Sequence, residues 1–356
     1  MFDHPMMTFF IFLLVLFLYL HITAQWKKGE DLEVYEMDYL SNTHLQEIAS
    51  VKQPVLFEFP RVPEVYHVFQ LSKMTKYHTY DLHVKDSRDY ESGSPDDSAT
   101  VDSVVLPFHS AIRFMESDSH SRYFSENNGE FLEETGLESV LTKLEPYLKP
   151  TGNIYSKLDI WLGSKNTTTP LRYHTYANLF LVVTGGKIRV KMTPWKSRKF
   201  LYPIKDYDQY EFRSAVNVWK EGPEAHSEMD KLRFLDFEVP AGYILSIPPY
   251  WWYSIRYSTD PANCVCAITF DTAINALAHA YDWGLYYLQQ SNITAKIHKP
   301  SNDREESPPP VAVDHASSSP PAEEKAPGID ASPLPPPPKT AEKKEIITHS
   351  GVYQVA

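Results

Sequence analysis

Cysteine and histidine are the residues with which this chain could bind a metal or carry out redox chemistry. The 356-residue sequence contains two cysteines, Cys264 and Cys266, and 14 histidines. Two cysteines are too few for a disulfide-stapled scaffold or a zinc module built on cysteine. Their spacing places both on one face of a predicted strand, where we interpret them as small buried hydrophobic side chains. Apart from His174, the histidines show no ligand spacing, so spacing alone predicts no metal site.

The overall composition is that of a globular protein with an acidic net charge. Hydrophobic residues make up 42% of the chain, charged residues 22%, and the formal net charge is −12. A nucleic-acid-binding surface needs clustered positive charge, so we expect no nucleic-acid partner. Aromatic residues make up 13% and favour a β-rich core over a helical bundle.

The N-terminal end contains an apolar stretch long enough to cross a membrane. The segment Pro5–Trp26 has no Asp, Glu, Lys or Arg. About 22 residues form roughly 33 Å of helix, which exceeds a hydrocarbon core of about 30 Å. A signal peptide cleaved after Ala24 is the alternative, but the leader before the apolar stretch has no basic residue. We expect residues 1–29 to be an uncleaved single-pass anchor, and Lys27-Lys28 favours a domain that faces the cytosol.

The C-terminal residues 293–356 are rich in proline. From residue 299 onward they contain twelve of the 28 prolines in the chain. Such a composition cannot bury enough apolar surface to fold, so we expect a disordered tail with polyproline II character. The run Pro333–Lys339 fits the proline-rich ligands of SH3, WW or EVH1 modules, and a solvated spacer is the simpler alternative.

The folded region is expected to cover residues 30–292, with helices first and strands later. Amphipathic patterns predict helices over Phe108–Met115 and Leu137–Leu148, and a polar stretch predicts a surface loop over residues 84–103. In the second half, aromatic and β-branched runs recur between Gly, Pro and Asp turns. This pattern predicts a mainly β, α+β domain with a jelly-roll core and flanking helices. A final amphipathic helix is expected over Thr272–Gln289.

Three segments of the second half carry a more specific pattern, namely Thr169–Leu179, Thr184–Val190 and Val239–Ser254. Their order and spacing resemble the cupin-like JmjC family, in particular the branch containing the asparaginyl hydroxylase that inhibits hypoxia-inducible factor. The similarity covers about residues 30–290. It implies a double-stranded β-helix that binds one Fe(II) ion and 2-oxoglutarate.

The resemblance also implies that the metal-binding positions have been substituted. The His-x-Asp pair and the later His of the family fall on Arg172, His174 and Tyr253. Arg172 is always cationic and repels a divalent metal. The phenol of Tyr253 is a poor ligand near neutral pH, because it titrates near pH 10. No carboxylate replaces the Asp, so we expect no catalytic residue, no metal and no bound cofactor.

Part of the cosubstrate pocket would remain. Thr169, Asn178 and Lys187 match positions that contact 2-oxoglutarate in this branch. With Arg172 nearby, they would form a pocket for 2-oxoglutarate or another anion without iron. The three residues also have ordinary alternatives as a turn cap, a strand-end hydrogen-bonding group and a solvated lysine.

The sequence therefore favours a membrane-anchored pseudo-oxygenase that acts as a binding or scaffold module. The alternative is an active 2-oxoglutarate- and Fe(II)-dependent protein hydroxylase whose metal site is rebuilt from His174 and a distant carboxylate such as Asp236. A cupin that binds a sugar or an anion is a third interpretation.

A homodimer paired through the C-terminal helix is expected by analogy with the hydroxylase branch. An apolar face recurs there at steps of three and four residues, which is typical of a packed helix. These side chains could equally pack on the barrel of their own chain. They are Ile274, Leu277, Tyr281, Leu285 and Leu288.

Overall fold

The computed structural model describes residues 4–91, 100–220, 231–259 and 263–297. Its helices are α1 (His4–Gln25), α2 (Asn42–Ala49), α3 (Pro63–Val68), α4 (Leu71–Met74), α5 (Phe108–Glu116), α6 (Gly129–Glu134), α7 (Glu138–Leu141), α8 (Glu145–Leu148), α9 (Ala273–Ala278) and α10 (Ala280–Ile297). Short 3₁₀ helices cover Thr75–Tyr77, Ser87–Tyr90, Thr142–Leu144 and Trp195–Phe200.

The strands are β1 (Tyr35–Glu36), β2 (Val55–Glu58), β3 (Asp81–Asp86), β4 (Val104–Pro107), β5 (Tyr123–Ser125), β6 (Asn153–Gly163), β7 (Leu171–Tyr173), β8 (Asn178–Gly185), β9 (Lys187–Thr193), β10 (Ile204–Asp206), β11 (Glu211–Ser214), β12 (Leu235–Pro240), β13 (Tyr243–Ile247), β14 (Trp252–Tyr257) and β15 (Cys264–Thr272). They form a nine-stranded sheet, β1-β2-β13-β8-β15-β6-β5-β3-β4, and a six-stranded sheet, β10-β11-β7-β14-β9-β12. The predicted β-rich core with flanking helices is confirmed.

The sequence patterns of the strands follow from which faces are covered. All eight residues of β8 are buried, because one face of the large sheet packs against helices and the other faces the barrel interior. In β9, Ile188, Val190 and Met192 point inward, whereas Lys187 and Arg189 are exposed. The continuous and the alternating hydrophobic patterns therefore mark strands with two covered faces and one covered face, respectively.

Several predicted boundaries differ from the structure. The stretch predicted as a loop over 84–103 begins within β3 and continues as the 3₁₀ helix Ser87–Tyr90, because β3 pairs with β4 and β5. The helix predicted over Leu137–Leu148 is divided into α7, a 3₁₀ turn and α8. The final helix is divided at His279 into α9 and α10. The prediction of a disordered, proline-rich tail lies outside the described residues.

Candidate functional site

The three positions that the family resemblance assigns to the metal lie together in the barrel. Arg172 in β7 pairs in register with Tyr253 in β14, and His174 follows directly after β7. The Arg172 guanidinium carbon lies 5.6 Å from the centre of the Tyr253 ring. The centres of the His174 and Tyr253 rings are 6.3 Å apart. The sequence motif therefore brings the three side chains to one place.

A buried ion pair occupies this place. Arg172 Nη2 lies 2.6 Å from Glu126 Oε2, and the two side chains are only 9% and 3% exposed. The other oxygen of Glu126 accepts a hydrogen bond of 3.0 Å from the buried Lys85 ammonium. The guanidinium also lies 4.8 Å above the centre of the Trp161 ring. Arg172 is thus held by charge on one side and by an aromatic face on another.

The ion pair continues into a chain of alternating charges. Glu211 Oε1 lies 3.4 Å from Arg172 Nη1, and its other oxygen lies 4.0 Å from Arg213 Nη1. Arg213 in turn lies 3.6 Å from the buried carboxylate of Asp206. We call these six residues the charge network; they are Lys85, Glu126, Arg172, Glu211, Arg213 and Asp206. With three cations and three anions, the charge network is neutral as a whole.

Glu126 and Arg172 stay ionised because their oppositely charged neighbours outweigh the cost of burying a charge. Burial alone would raise the pKa of Glu126, but Arg172 and Lys85 lower it to about 2. Burial opposes the charge of Arg172, yet Glu126 and its other neighbours hold the pKa well above its ordinary value. Both members of the pair are therefore charged at neutral pH.

His174 is the one remaining candidate ligand, and it is engaged in the core. Its Nε2 donates to the carbonyl oxygen of Ile247 at 3.1 Å, because a carbonyl can only accept. Burial lowers the pKa of His174 to about 3, so the imidazole is neutral. The hydrogen bond occupies one ring nitrogen, which therefore does not offer its lone pair to a metal.

Acidification should destabilise the domain through His174. An unfolded histidine titrates near pH 6.5 and the folded one near 3, so the unfolded state takes up the proton first. The contribution of neutral His174 to the free energy of unfolding is complete above pH 6.5. It is lost as the pH falls towards 3, at about 1.4 kcal/mol per pH unit. At pH 4.5 the loss is about 3 kcal/mol. We expect denaturant unfolding of the His174→Gln chain to depend less on pH between 6.5 and 4.5.

The matched control for this pH series is His67→Gln, because His67 is exposed in α3. This variant should keep the slope of the natural chain. An unchanged slope in His174→Gln would contradict the assignment of the acid sensitivity to His174. The chosen range lies above the titration of Glu126, whose own contribution is lost only as the pH falls through 4.5 towards 2.

The side chains at the three positions do not fit a ferrous ion. One is a guanidinium paired with a carboxylate, and another is a phenol. Burial raises the pKa of Tyr253 to about 12, although the Arg172 charge opposes the rise. Fe(II) in this family needs two imidazoles and a carboxylate. Among residues 4–91, 100–220, 231–259 and 263–297, no group of three His, Cys, Asp or Glu side chains is arranged to hold a metal.

Of the residues predicted to bind 2-oxoglutarate, Thr169 and Asn178 are buried, whereas Lys187 is exposed. Thr169 Oγ1 accepts a 3.0 Å hydrogen bond from the Ile255 backbone, and Asn178 is buried at the start of β8. Lys187 is exposed on the outer face and binds Glu238 at 2.8 Å. Its neighbour Ile188 takes the inward position. This placement differs from the expected interior pocket that includes Lys187.

The carboxylate suggested for a rebuilt metal site also faces outward. Asp236 in β12 accepts hydrogen bonds of 2.5 and 2.8 Å from Arg189, whose side chain is exposed in β9. It therefore does not join His174 in the interior. Lys85, Glu126 and Glu211 were not predicted as site residues. The only indication in the sequence is that each is a charged residue next to the apolar residues of a strand.

Comparison with known proteins agrees with this architecture. Residues 23–276 match the family model described as a cupin-like domain. The chain is 31% identical over 103 residues to JmjC domain-containing protein D of Dictyostelium discoideum, covering 28% of this chain and 22% of that protein. It is 26% identical over 121 residues to Lysine-specific demethylase JMJ30 of Arabidopsis thaliana, covering 30% and 25%, respectively.

A third relative is Jumonji C domain-containing protein 5 of Drosophila melanogaster, which is 28% identical over 96 residues, 27% of this chain and 23% of that protein. The aligned regions span about a quarter of the length of these relatives. The family model, in contrast, covers most of the chain, from the end of α1 to α9. This chain therefore belongs to the cupin-like domain family, with JmjC-domain proteins among its relatives.

Proposed function

We propose that the cupin-like domain is a pseudo-oxygenase, in which the fold serves as a binding or scaffold module and does not activate oxygen. The observation that carries the proposal is the buried Arg172–Glu126 ion pair at the position of the metal. A divalent ion about 4 Å from a guanidinium would experience a repulsion of roughly 8 kcal/mol at an effective dielectric of about 20. The single negative charge of Glu126 is shared between Arg172 and Lys85, so Glu126 offers no free charge to offset that repulsion.

Binding of 2-oxoglutarate with and without Mn(II) tests this proposal. In the active members of the family the metal holds the cosubstrate, so binding there depends on the ion. We expect equilibrium dialysis of the full chain in detergent to show no increase in 2-oxoglutarate binding on addition of Mn(II). An increase of tenfold or more, on the order of 1.4 kcal/mol, would contradict the proposal.

The same dialysis tests the expected anion pocket. If 2-oxoglutarate binds without metal, and this binding is lost in Lys187→Ala but kept in Lys143→Ala, the result would support a site that includes Lys187. Lys143 is a suitable control because it forms a surface ion pair with Glu64 elsewhere on the domain. Equal binding in the two variants would remove Lys187 from any such site.

An active 2-oxoglutarate-dependent hydroxylase is the second candidate. It is favoured by the similarity to JmjC proteins, one of which is named a lysine-specific demethylase. The residues at the family's metal positions oppose it, since Arg172 and Tyr253 supply no ligand for Fe(II). Metal-dependent 2-oxoglutarate binding in the dialysis would favour this second candidate over the first.

For the N-terminal helix we propose an uncleaved single span with the domain in the cytosol. Met6–Gln25 is long and apolar enough to cross a membrane, a property that a signal sequence shares. The length and apolar character of this helix support the anchor, and Lys27 and Lys28 after the span support its orientation. The proline-rich run Pro333–Lys339 would then face cytosolic SH3, WW or EVH1 modules.

Alkaline carbonate extraction should leave the chain in the membrane pellet. An integral span is retained because its apolar side chains stay in lipid when peripheral proteins are stripped. The control is a chain that begins at Gln25 and should be released. Release of the full-length product with a new N-terminus at Gln25 would instead identify a cleaved signal peptide.

A further inference from the structure

We propose that helices α9 and α10 lie on the lipid surface beside the N-terminal span, so that the domain has one fixed orientation on the membrane. The inference rests on the proposed anchor and goes beyond it, because an anchor alone leaves the domain free to turn on a linker. Its basis is the segment Trp26–Glu30, which follows the span and which we call the stalk.

Two side chains of the stalk, Trp26 and Lys28, bind the domain. Trp26 Nε1 donates a 3.0 Å hydrogen bond to the carbonyl oxygen of Ala278 at the end of α9. The Lys28 ammonium lies 4.6 Å from the centre of the Tyr250 ring and 5.1 Å from that of Trp195. Two ring faces on one ammonium form a specific cation–π site.

The rest of the stalk is held by its backbone. A Cβ atom at Gly29 would lie 2.0 Å from the carbonyl oxygen of Lys52, so only glycine permits this close approach. The next carbonyl, that of Glu30, accepts a 3.0 Å hydrogen bond from Lys196. Because four of its five residues contact the domain, the stalk does not act as a flexible linker between the span and the barrel.

The end of the span also contacts α9 directly. The last turns of α1 pack against α9, and Leu18 and Ile22 are half-buried while most of the span is exposed. A span over Met6–Gln25 is about 30 Å long, which is the thickness of the hydrocarbon core. Because α9 contacts the final turns of this span, we infer that α9 lies at the level of the lipid headgroups.

The exposed surface of α9 and of α10, which follows it, is apolar and aromatic. Tyr281 is 75% exposed and Leu288 63%, and they lie seven residues apart on one side of α10, with Leu277 also exposed on α9. Asp282 is the one Asp, Glu, Lys or Arg between residues 272 and 295, and it binds Lys205 at 3.1 Å. Tyrosine side chains with apolar neighbours are typical of membrane–water interfaces.

The opposite side of α10 is attached to the barrel, which fixes the side that faces outward. The Trp283 ring stacks on Tyr210 with ring centres 4.7 Å apart, and its edge meets Tyr176 at 6.2 Å. Of the five residues expected to form a dimer face, Ile274 and Leu285 are half-buried, while Leu277, Tyr281 and Leu288 are exposed. The exposed three form the surface that we assign to lipid.

Positive charge beside the stalk favours lipid over a second copy of this chain as the occupant. The exposed residues Lys196, Arg198 and Lys199 lie in the 3₁₀ helix that holds Glu30, and Lys27 is exposed in the stalk itself. These four cations outnumber the three exposed carboxylates of residues 27–35, which are Glu30, Asp31 and Glu33. Basic residues next to a span are attracted to anionic lipid headgroups.

The test uses a fluorophore that reports contact with lipid. The full chain is reconstituted in vesicles of phosphatidylcholine and phosphatidylserine that contain a nitroxide lipid, with an environment-sensitive label on Tyr281→Cys or Leu288→Cys. The native cysteines, Cys264 and Cys266, are buried. The control is Val104→Cys, which is exposed in the edge strand β4 and belongs to no surface assigned to lipid. We expect the labels in α10 to lose most of their emission and the label in β4 to keep it.

Three results would overturn the inference, and they are distinguishable from failure of the anchor. Equal quenching at Tyr281→Cys and Val104→Cys in chains that float with the vesicles would leave the anchor and reject the orientation. An unquenched label at 281 in a particle with the mass of two chains would assign the surface to a second copy. Chains that do not float would reject the anchor and the inference together.

The contribution of the stalk is tested in the same vesicles. Lys28→Ala removes the cation–π site, so the label at position 281 should lose much of its quenching as the domain turns away from the lipid. Lys76→Ala is the matched control, because Lys76 lies 4.7 Å from the Tyr77 ring, away from the stalk. Unchanged quenching in Lys28→Ala would reject the stalk as the element that fixes the orientation.

Discussion

Replacing Arg172 with methionine should lower the free energy of unfolding by about 3–5 kcal/mol. The substitution keeps the length of the side chain and its packing on Trp161 but leaves Glu126 with a single cationic partner, Lys85, in the core. Removing one member of a buried pair is costly because the other charge stays desolvated without compensation. Urea unfolding of the full chain in detergent, followed by tryptophan fluorescence, measures the change.

A surface pair and a double variant provide the controls. Lys187→Met breaks the ion pair with Glu238, where both side chains are about half exposed, so it should cost less than about 1 kcal/mol. Glu126→Gln combined with Arg172→Met should lower the free energy of unfolding by less than the sum of the two single changes. Each single change leaves the opposite charge of the pair buried without that partner, and the double variant contains neither charge. Equal losses in Arg172→Met and Lys187→Met would contradict the structural role assigned to the buried pair.

Restoring the family's ligands should create a metal site at positions 172, 174 and 253. The triple variant Arg172→His, His174→Asp and Tyr253→His places two imidazoles and a carboxylate at positions whose side chains already lie together. It also removes the guanidinium charge that opposes a divalent ion. We expect weak Fe(II) or Mn(II) binding, in the range of micromolar to millimolar, and no turnover, because full affinity also depends on surrounding side chains that orient the ligands, and the variant does not redesign these.

The double variant Arg172→His with His174→Asp is the matched control for this gain. It lacks the third ligand, so its affinity should be at least about tenfold lower, equivalent to about 1.4 kcal/mol. Glu126 retains Lys85 as its partner in both variants, so their folding should be similarly affected. A folded triple variant that binds neither ion at millimolar concentration would show that the three positions do not converge as ligands.

The parts of the fold that are visible in the sequence are those with local patterns. The apolar strand runs after residue 150 and the segment Val239–Ser254 determine strand positions, because each pattern reflects which faces of a strand are buried. The break between α9 and α10 has no such signal. His279 is fixed there by Tyr250, whose hydroxyl lies 2.6 Å from its Nε2, a contact between residues 29 positions apart.

The site was only partly predictable for the same reason. The motif identified Arg172, His174 and Tyr253, but the partner of Arg172 comes from the end of β5, and Lys85 lies 41 residues before Glu126 in the chain. A pairing between distant strands leaves no spacing that a single sequence reveals. Lys187 illustrates a second limit, because a shift of one residue along a strand moves a side chain from the interior to the outer face.

Titration of the natural full-length chain with Mn(II), with free ion measured by electron paramagnetic resonance, tests the central claim most directly. The claim is that a buried ion pair has replaced the metal site of the cupin-like domain. We predict that the signal of free Mn(II) rises in proportion to the added metal, as in buffer with detergent alone, at micromolar concentrations of protein and ion. Binding of one Mn(II) per chain in that range would contradict the claim, because the described residues provide no metal-binding group of three His, Cys, Asp or Glu side chains.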